Sequence, residues 1–304
     1  MNNEKTHRPY WLIGAATALI LTLSACASTP NADGSTDDPS ADPRVVDQEL
    51  AALLPDDIRD RGSLVIGASL DYPPDNFMES DGTTPTGYMV GILEAIGDRV
   101  GVEIDYQRVD FASVLTGIEA GRYDGGISFL DSKERQEVVN VVGVYGAAQS
   151  FLVMDGNEID VPPCGLKVGV GAGSIEETYL GRMSEDECVA KGEEPIEILT
   201  SPSNPQAQTA MSSGRVDAVF GSTAAAAWAV EESDGAFAIA GEPFKLTDSP
   251  LTGIAVNKQR TDIAEALEAI VQALIDDGTY ERILEEWGVI GIGVETATLN
   301  GATE

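Results

Sequence analysis

Two short stretches of the chain carry residue types that could grip an anion. The run GGISFLDSKERQE, residues 125–137, places Arg135 in a charged cluster directly after small and apolar residues. A guanidinium is planar and can hold a carboxylate through two parallel charge-assisted hydrogen bonds, which a lysine ammonium cannot imitate. The same run also suits a solvated helix face, where a charge gains only about 0.3–0.5 kcal/mol from neighbours one turn away. Composition alone leaves both readings open. The second stretch is GAGS at residues 171–174, leading into a helical pattern. Ser174 followed by Glu177 forms a capping box, and free amides at a helix N-terminus attract an anion. Ser174 can also cap its helix and touch no ligand, and the two roles are compatible.

Other chemistries find little support. The single histidine, His7, lies in the leader, and the three cysteines include no CxxC pair, so a zinc site is poorly supported. Neither a histidine base nor a free thiol nucleophile is on offer, so no catalytic residue, metal or cofactor is expected. The G-x-G at residues 169–171 follows a strand but lacks the rest of a dinucleotide fingerprint. Lys+Arg number 18 against 51 Asp+Glu, a formal net charge of −33, which argues against nucleic-acid partners. The acid is spread along the chain, as on a solvated, self-repelling surface that also suits a salty medium.

The N-terminus reads as a targeting device. Lys5 and Arg8 precede an apolar run over residues 11–23 that is too short to span a bilayer, so residues 1–25 are expected to be a cleaved signal. The sequence LSAC at residues 23–26 resembles a bacterial lipobox, which would make Cys26 the lipidated first residue of the mature chain. Residues 26–43, rich in Ser, Asp and Pro, cannot bury enough apolar surface to order themselves and read as a tether. The expected location is the outer face of the cell membrane. In that compartment disulfides persist, and Cys164 and Cys188 are expected to pair.

Those residues must be positioned by the body that follows. Short apolar runs alternate with amphipathic helical patterns, as in an α/β fold with largely parallel sheets. Strands are expected at residues 64–67, 102–106 and 126–129, with helices at 91–101 and 112–121 between them. A second series has strands at 166–170, 196–198 and 216–220 and a helix at 206–213. Apolar segments at 150–157 and 251–256 are expected to cross between two lobes, followed by a helix over 262–274 with apolar residues at helical spacing. These spans place lobe one at 44–152 and 252–292, lobe two at 153–251, and a loose tail at 293–304.

Six segments, at 62–74, 120–128, 132–142, 166–180, 214–222 and 274–289, together resemble the extracytoplasmic solute-binding proteins of polar amino acid ABC importers, family 3. Among them are GSLVIGASLDYPP, AGRYDGGIS, GRVDAVFGS and LIDDGTYERILEEWGV. The resemblance implies an α/β, two-lobed type II periplasmic-binding fold whose lobes close on a small ligand about two crossing hinge strands. It places Arg135 on the ligand's α-carboxylate and the turn with Gly173, Ser174 and Ile175 at the cleft as a second anchor. Tyr72 is implied as an aromatic platform, with Phe129 at the edge of the third strand, Phe77 in support and Ser128 beside them.

Several positions depart from the family pattern. Ser222 and Ser69 stand where acids usually meet the ligand's ammonium, and Leu130 stands where a hydroxyl is often offered. The usual Pro-Phe step is interrupted by Asp75 and Asn76. A buried ammonium without a counter-charge is costly, so either Asp71 or another acid substitutes, or the ligand has no primary ammonium. A diffuse cation resting on Tyr72 and Phe129 is the latter case. The expected function is a monomeric receptor that captures a small carboxylate-bearing solute, an amino acid or derivative, and delivers it to a membrane permease. Two alternatives share the fold: a cyclohexadienyl dehydratase-like enzyme, with Glu176 as proton donor, and a stand-alone sensor.

Overall fold

The structure is a computed structural model in which residues 46–246 and 251–303 are described. The expected signal, the tether and the lipidation residue Cys26 lie outside these residues. No helix among those described is long and apolar enough to cross a membrane.

Two sheets organise the chain. The first has six strands in the order Thr298–Leu299, Val139–Gly146, Leu251–Asn257, Gly125–Leu130, Ser63–Ala68 and Glu103–Arg108. The second has five, in the order Glu197–Ser201, Lys167–Gly171, Ala218–Ser222, Gln149–Met154 and Phe237–Phe244. A small third sheet, Asp71–Tyr72, Asn76–Met78 and Pro85–Thr86, overhangs the first lobe.

Both large sheets are mixed, where the sequence implies largely parallel ones. Ser63–Ala68 runs parallel to both its neighbours, but Leu251–Asn257 pairs antiparallel with both of its own. Gln149–Met154 likewise pairs antiparallel on both sides. The antiparallel strands are those beside the crossings, because a chain that leaves one lobe and returns must reverse direction.

The crossings fall a few residues from their expected places. Gln149–Met154 belongs wholly to the second sheet, so the first crossing is Ala147–Ala148, between two strands, and lobe one ends before residue 152. Strand Leu251–Asn257, where the return crossing is expected, belongs wholly to the first sheet.

Helices cover the sheets with their apolar faces. Thr261–Asp276 buries Ile263, Leu267, Ile270, Val271 and Leu274, the i, i+4, i+7 pattern of one face. Tyr88–Val100 buries Tyr88, Ile92, Leu93, Ile96 and Val100 against the same core and ends on Gly101 in the left-handed conformation. Each fully buried Ile or Leu contributes roughly 1.5–3 kcal/mol of hydrophobic transfer. In lobe two, Cys164 and Cys188 form the expected disulfide and tie the segment after Ile175–Met183 to the start of that lobe.

The C-terminal segment is docked, not loose. Thr298–Leu299 adds an edge strand to Val139–Gly146. Asn300 accepts from the Val141 amide at 2.9 Å, and Ala302 donates to Asp131 at 2.9 Å and accepts from Gln136 at 3.1 Å. Its sequence is polar and non-periodic, and its partners are distant side chains and a strand edge, so pattern alone leaves it unplaced.

Candidate functional site

A cavity of about 360 Å³ lies between the lobes, in the size class of a site for a small organic molecule. Each wall can be built from the residues that line it.

Arg135 sits in the short helix Lys133–Gln136, whose N-cap Ser132 accepts from the Arg135 amide at 3.2 Å. Its half-buried guanidinium lies 5.1 Å from the Phe129 ring centre and gives one hydrogen bond, Nη1 to the Leu130 carbonyl at 3.0 Å. Ring and carbonyl hold the plane of the fork, and the remaining N–H groups take no protein partner among the described residues. No carboxylate there pairs with Arg135 within ion-pair distance; burial lowers its proton affinity, and the nearby charges of Glu176, Glu134 and Asp131 oppose that shift. This is a preoriented cation with carboxylates nearby but none in direct contact among the described residues.

The opposite wall is the start of helix Ile175–Met183. Ser174 caps it by accepting from the Glu177 amide at 3.3 Å, and Glu177 reaches back to the Gly173 amide at 2.8 Å. The capping box therefore consumes the Gly173 donor, and Gly173 does not line the cavity, contrary to expectation. Ser174, Ile175 and Glu176 do line it. The amides of Ile175 and Glu176 take no partner among the described residues and stand at the positive end of the helix.

Tyr72 lines the cavity and reaches across it, accepting from the Ser222 amide at 3.1 Å. Burial first, then the charge of Glu176, raises its phenol pKa, so the hydroxyl keeps its proton. Ser222 is the N-cap of helix Thr223–Glu232, accepting from Ala225 at 3.2 Å, and it lines the cavity with Ser69 and Leu130.

Two expected aromatics lie elsewhere. Phe129 is fully buried and stacks on Phe111 at 4.7 Å. Ser128, whose φ is +66°, and Leu130 line the cavity, while Phe129 between them is buried in the core beneath Arg135. Phe77 packs at 6.0 Å from Trp228 and 5.9 Å from Trp287, outside the cavity lining. Trp228 belongs to lobe two, and with Phe77 and Trp287 of lobe one it makes an aromatic cluster that bridges the lobes.

Asp75, which the sequence pattern shows only as an interruption of the Pro-Phe step, belongs to the cavity wall. Asp75 lines the cavity with its side chain 2% exposed, at the end of the Tyr72 turn. Its Oδ1 accepts from Ser128 Oγ at 2.6 Å and Asn76 Nδ2 at 3.1 Å. Its Oδ2 accepts from Tyr88 Oη at 3.1 Å and from Tyr145 Oη. Burial raises the Asp75 pKa, and the four donors oppose that shift. Gly87 permits the approach: its φ is +123°, and a Cβ there would stand 2.2 Å from the Asp75 carbonyl. Among the described residues no group of three or more His, Cys, Asp or Glu is placed to hold a metal ion.

Known proteins share this architecture and sequence. The arginine-binding protein ArgT of Corynebacterium glutamicum is 33% identical over 245 residues, 79% of each chain. The L-cystine-binding protein TcyJ of Escherichia coli K12 is 25% identical over 237 residues, 76% of this chain and 84% of that one. The solved structure of an ancestral arginine-binding protein bound to arginine superposes with a TM-score of 0.66 at 27% identity, covering 75% of this chain and 98% of that one. Residues 64–290 match the model of the bacterial extracellular solute-binding proteins, family 3, and the chain belongs to that family.

Proposed function

We propose that this solute-binding protein captures an amino acid, or a close carboxylate-bearing derivative, and hands it to the permease of an ABC importer. One observation carries the reading: a guanidinium with no carboxylate in direct contact among the described residues, held flat in the interlobe cavity, opposite a helix N-terminus with unbonded amides. A ligand carboxylate supplies both with a partner, and Arg135 and the Ile175 and Glu176 amides form its cradle. Tyr72, Ser69, Ser128 and Ser222 shape the remaining wall. The relatives named for arginine and cystine support an amino acid as the solute.

The receptor works without catalysis, as a monomer anchored outside the cell through lipid on Cys26. The sequence around Cys26 supports the anchor, and loss of the chain from the membrane fraction on Cys26→Ala is its check.

The binding test is the melting temperature against a panel that pairs amino acids with decarboxylated and deaminated counterparts, headed by L-arginine. A ligand at a hundredfold over its Kd adds about 2.7 kcal/mol, a rise of roughly 5–10 °C for a chain of this size. If no carboxylate-bearing member of the panel moves the transition, the reading fails.

A further inference from the structure

The chain beyond residue 290, past the part that matches the family, runs from one wall of the cavity to the back of another. Gly291 and Ile292 line the cavity, and the Ile292 carbonyl passes Gly146 so closely that a Cβ there would stand 3.3 Å away. Gly146 is the last residue before the Ala147–Ala148 crossing. Tyr280 then holds the segment, its hydroxyl donating to the Val144 carbonyl at 2.8 Å and accepting from the Val294 amide at 3.1 Å. The Ala297 amide donates to Gln272 at 3.0 Å and the Leu299 amide to Glu268 at 2.9 Å, both on helix Thr261–Asp276. The segment is therefore fastened along strand Val139–Gly146, which joins the Arg135 turn to the crossing.

Its far end is turned by one residue. Asn300 takes a φ of +54°, a left-handed conformation that asparagine tolerates better than most residues. With that turn its backbone donates to the Val141 carbonyl at 2.8 Å, while its side chain accepts from the Val141 amide at 2.9 Å and donates to Asn140 at 3.1 Å. Two residues later the chain reaches Ala302, which is buried.

Ala302 closes a ring of three hydrogen bonds. Its amide donates to Asp131 Oδ2 at 2.9 Å, its carbonyl accepts from Gln136 Nε2 at 3.1 Å, and the same Nε2 donates to Asp131 Oδ1 at 2.9 Å. Asp131 and Gln136 are buried as well. Asp131 follows Leu130, whose carbonyl accepts from Arg135, and Gln136 follows Arg135 itself. The ring thus grips the residue after the cation and the residue after the cation's acceptor. A four-residue helix such as Lys133–Gln136 has no stability of its own, so its placement comes from contacts outside it. A buried carboxylate that loses one of its donors finds no water to replace it.

We propose that residues 291–302 form a strap that sets the orientation of Arg135 from behind, with Asp131 and Gln136 as positioning residues, so that the hold on the ligand's carboxylate depends on the C-terminal segment. Neither positioning residue lines the cavity, and both act through the turn that carries Arg135. This inference rests on the receptor reading above.

The test compares the full chain with a truncation that removes residues 301–304 and with Asp131→Asn, in which one acceptor becomes a donor facing another donor. Calorimetric Kd values are measured for L-arginine and its decarboxylated amine, agmatine, or for the corresponding pair if another amino acid of the melting panel binds more tightly. Both variants are expected to weaken the amino acid roughly 10-fold, the worth of one charge-assisted hydrogen bond, and the amine by less than about twofold. A segment that only packs lowers the melting temperature and leaves both Kd values in place, which overturns the proposal. Equal weakening of amino acid and amine overturns it too, because that marks a general disturbance of the cavity. Where the amine binds too weakly to measure, Arg135→Ala takes its place: on that background the truncation is expected to cost the amino acid less than about twofold, and a 10-fold cost there overturns the proposal. Should the truncation fail to fold, Asp131→Asn decides by the same ratio. If the wild type binds no amino acid of the panel, the receptor reading fails and this inference falls with it.

Discussion

Replacing Arg135 by alanine isolates the contact on which ligand capture is argued to depend. Its guanidinium spends one N–H on the Leu130 carbonyl and is held from below by Phe129, so the fork is already aligned before a ligand enters. Two charge-assisted hydrogen bonds at about 1.5–3 kcal/mol each give an expected loss of about 3–6 kcal/mol, or roughly 10²- to 10⁴-fold in Kd. Arg135→Lys keeps the charge but not the two-pronged geometry and is expected to lose about half of that free energy. The unliganded protein should melt within a few degrees of the wild type, because Arg135 has no ion-pair partner to lose. The assay is calorimetry with an amino acid and its decarboxylated amine, on wild type and Arg135→Ala, read as a double-mutant cycle. The predicted coupling between Arg135 and the ligand carboxylate is at least about 2 kcal/mol, with the amine indifferent to the substitution. A coupling near zero, or an Arg135→Ala variant that binds the amino acid within threefold of wild type, refutes the argument.

Two further outcomes follow from the scaffold. Reducing the Cys164–Cys188 bridge, which spans a sequence separation of 24, should cost about 3–4 kcal/mol on the chain-entropy model. Equilibrium urea unfolding with and without reductant measures it. Removing residues 298–304 withdraws the Ala302 donor from buried Asp131, next to the Arg135 turn. A loss of about 2–4 kcal/mol in stability is expected, together with weaker ligand binding, read by melting and calorimetry on the truncated chain.

What the sequence reveals and what it hides follow physical lines. Strands such as Ser63–Ala68 and Lys167–Gly171 are legible because each is a short apolar run between turns, and Thr261–Asp276 because its apolar residues fall on one helix face. Val139–Gly146 is buried over nearly its whole length but begins directly after a charged cluster, which masks it. The small third sheet has strands of two or three residues, too short for any period to register. Arg135 is legible through its motif, whereas alternation alone does not place Phe129, because its neighbour Ser128 takes a φ of +66° that no strand period foretells. Asp75 could not be read locally: its partners Tyr88, Ser128 and Tyr145 lie 13, 53 and 70 residues away in sequence. Its meaning exists only once the chain has brought them together.

The aromatic cluster of Phe77, Trp228 and Trp287 separates two properties that binding proteins usually vary together. It lies outside the cavity and touches both lobes, so it weighs on the balance between open and shut forms without sensing what is inside. Apparent affinity scales with the fraction of molecules in the binding-competent form. Substitutions among these three rings therefore multiply the Kd of every solute by a common factor and leave the rank order intact. The chain thus carries a volume control at the rim and a tuning dial in the cavity, and evolution can adjust the receptor to solute abundance without altering which solute it prefers.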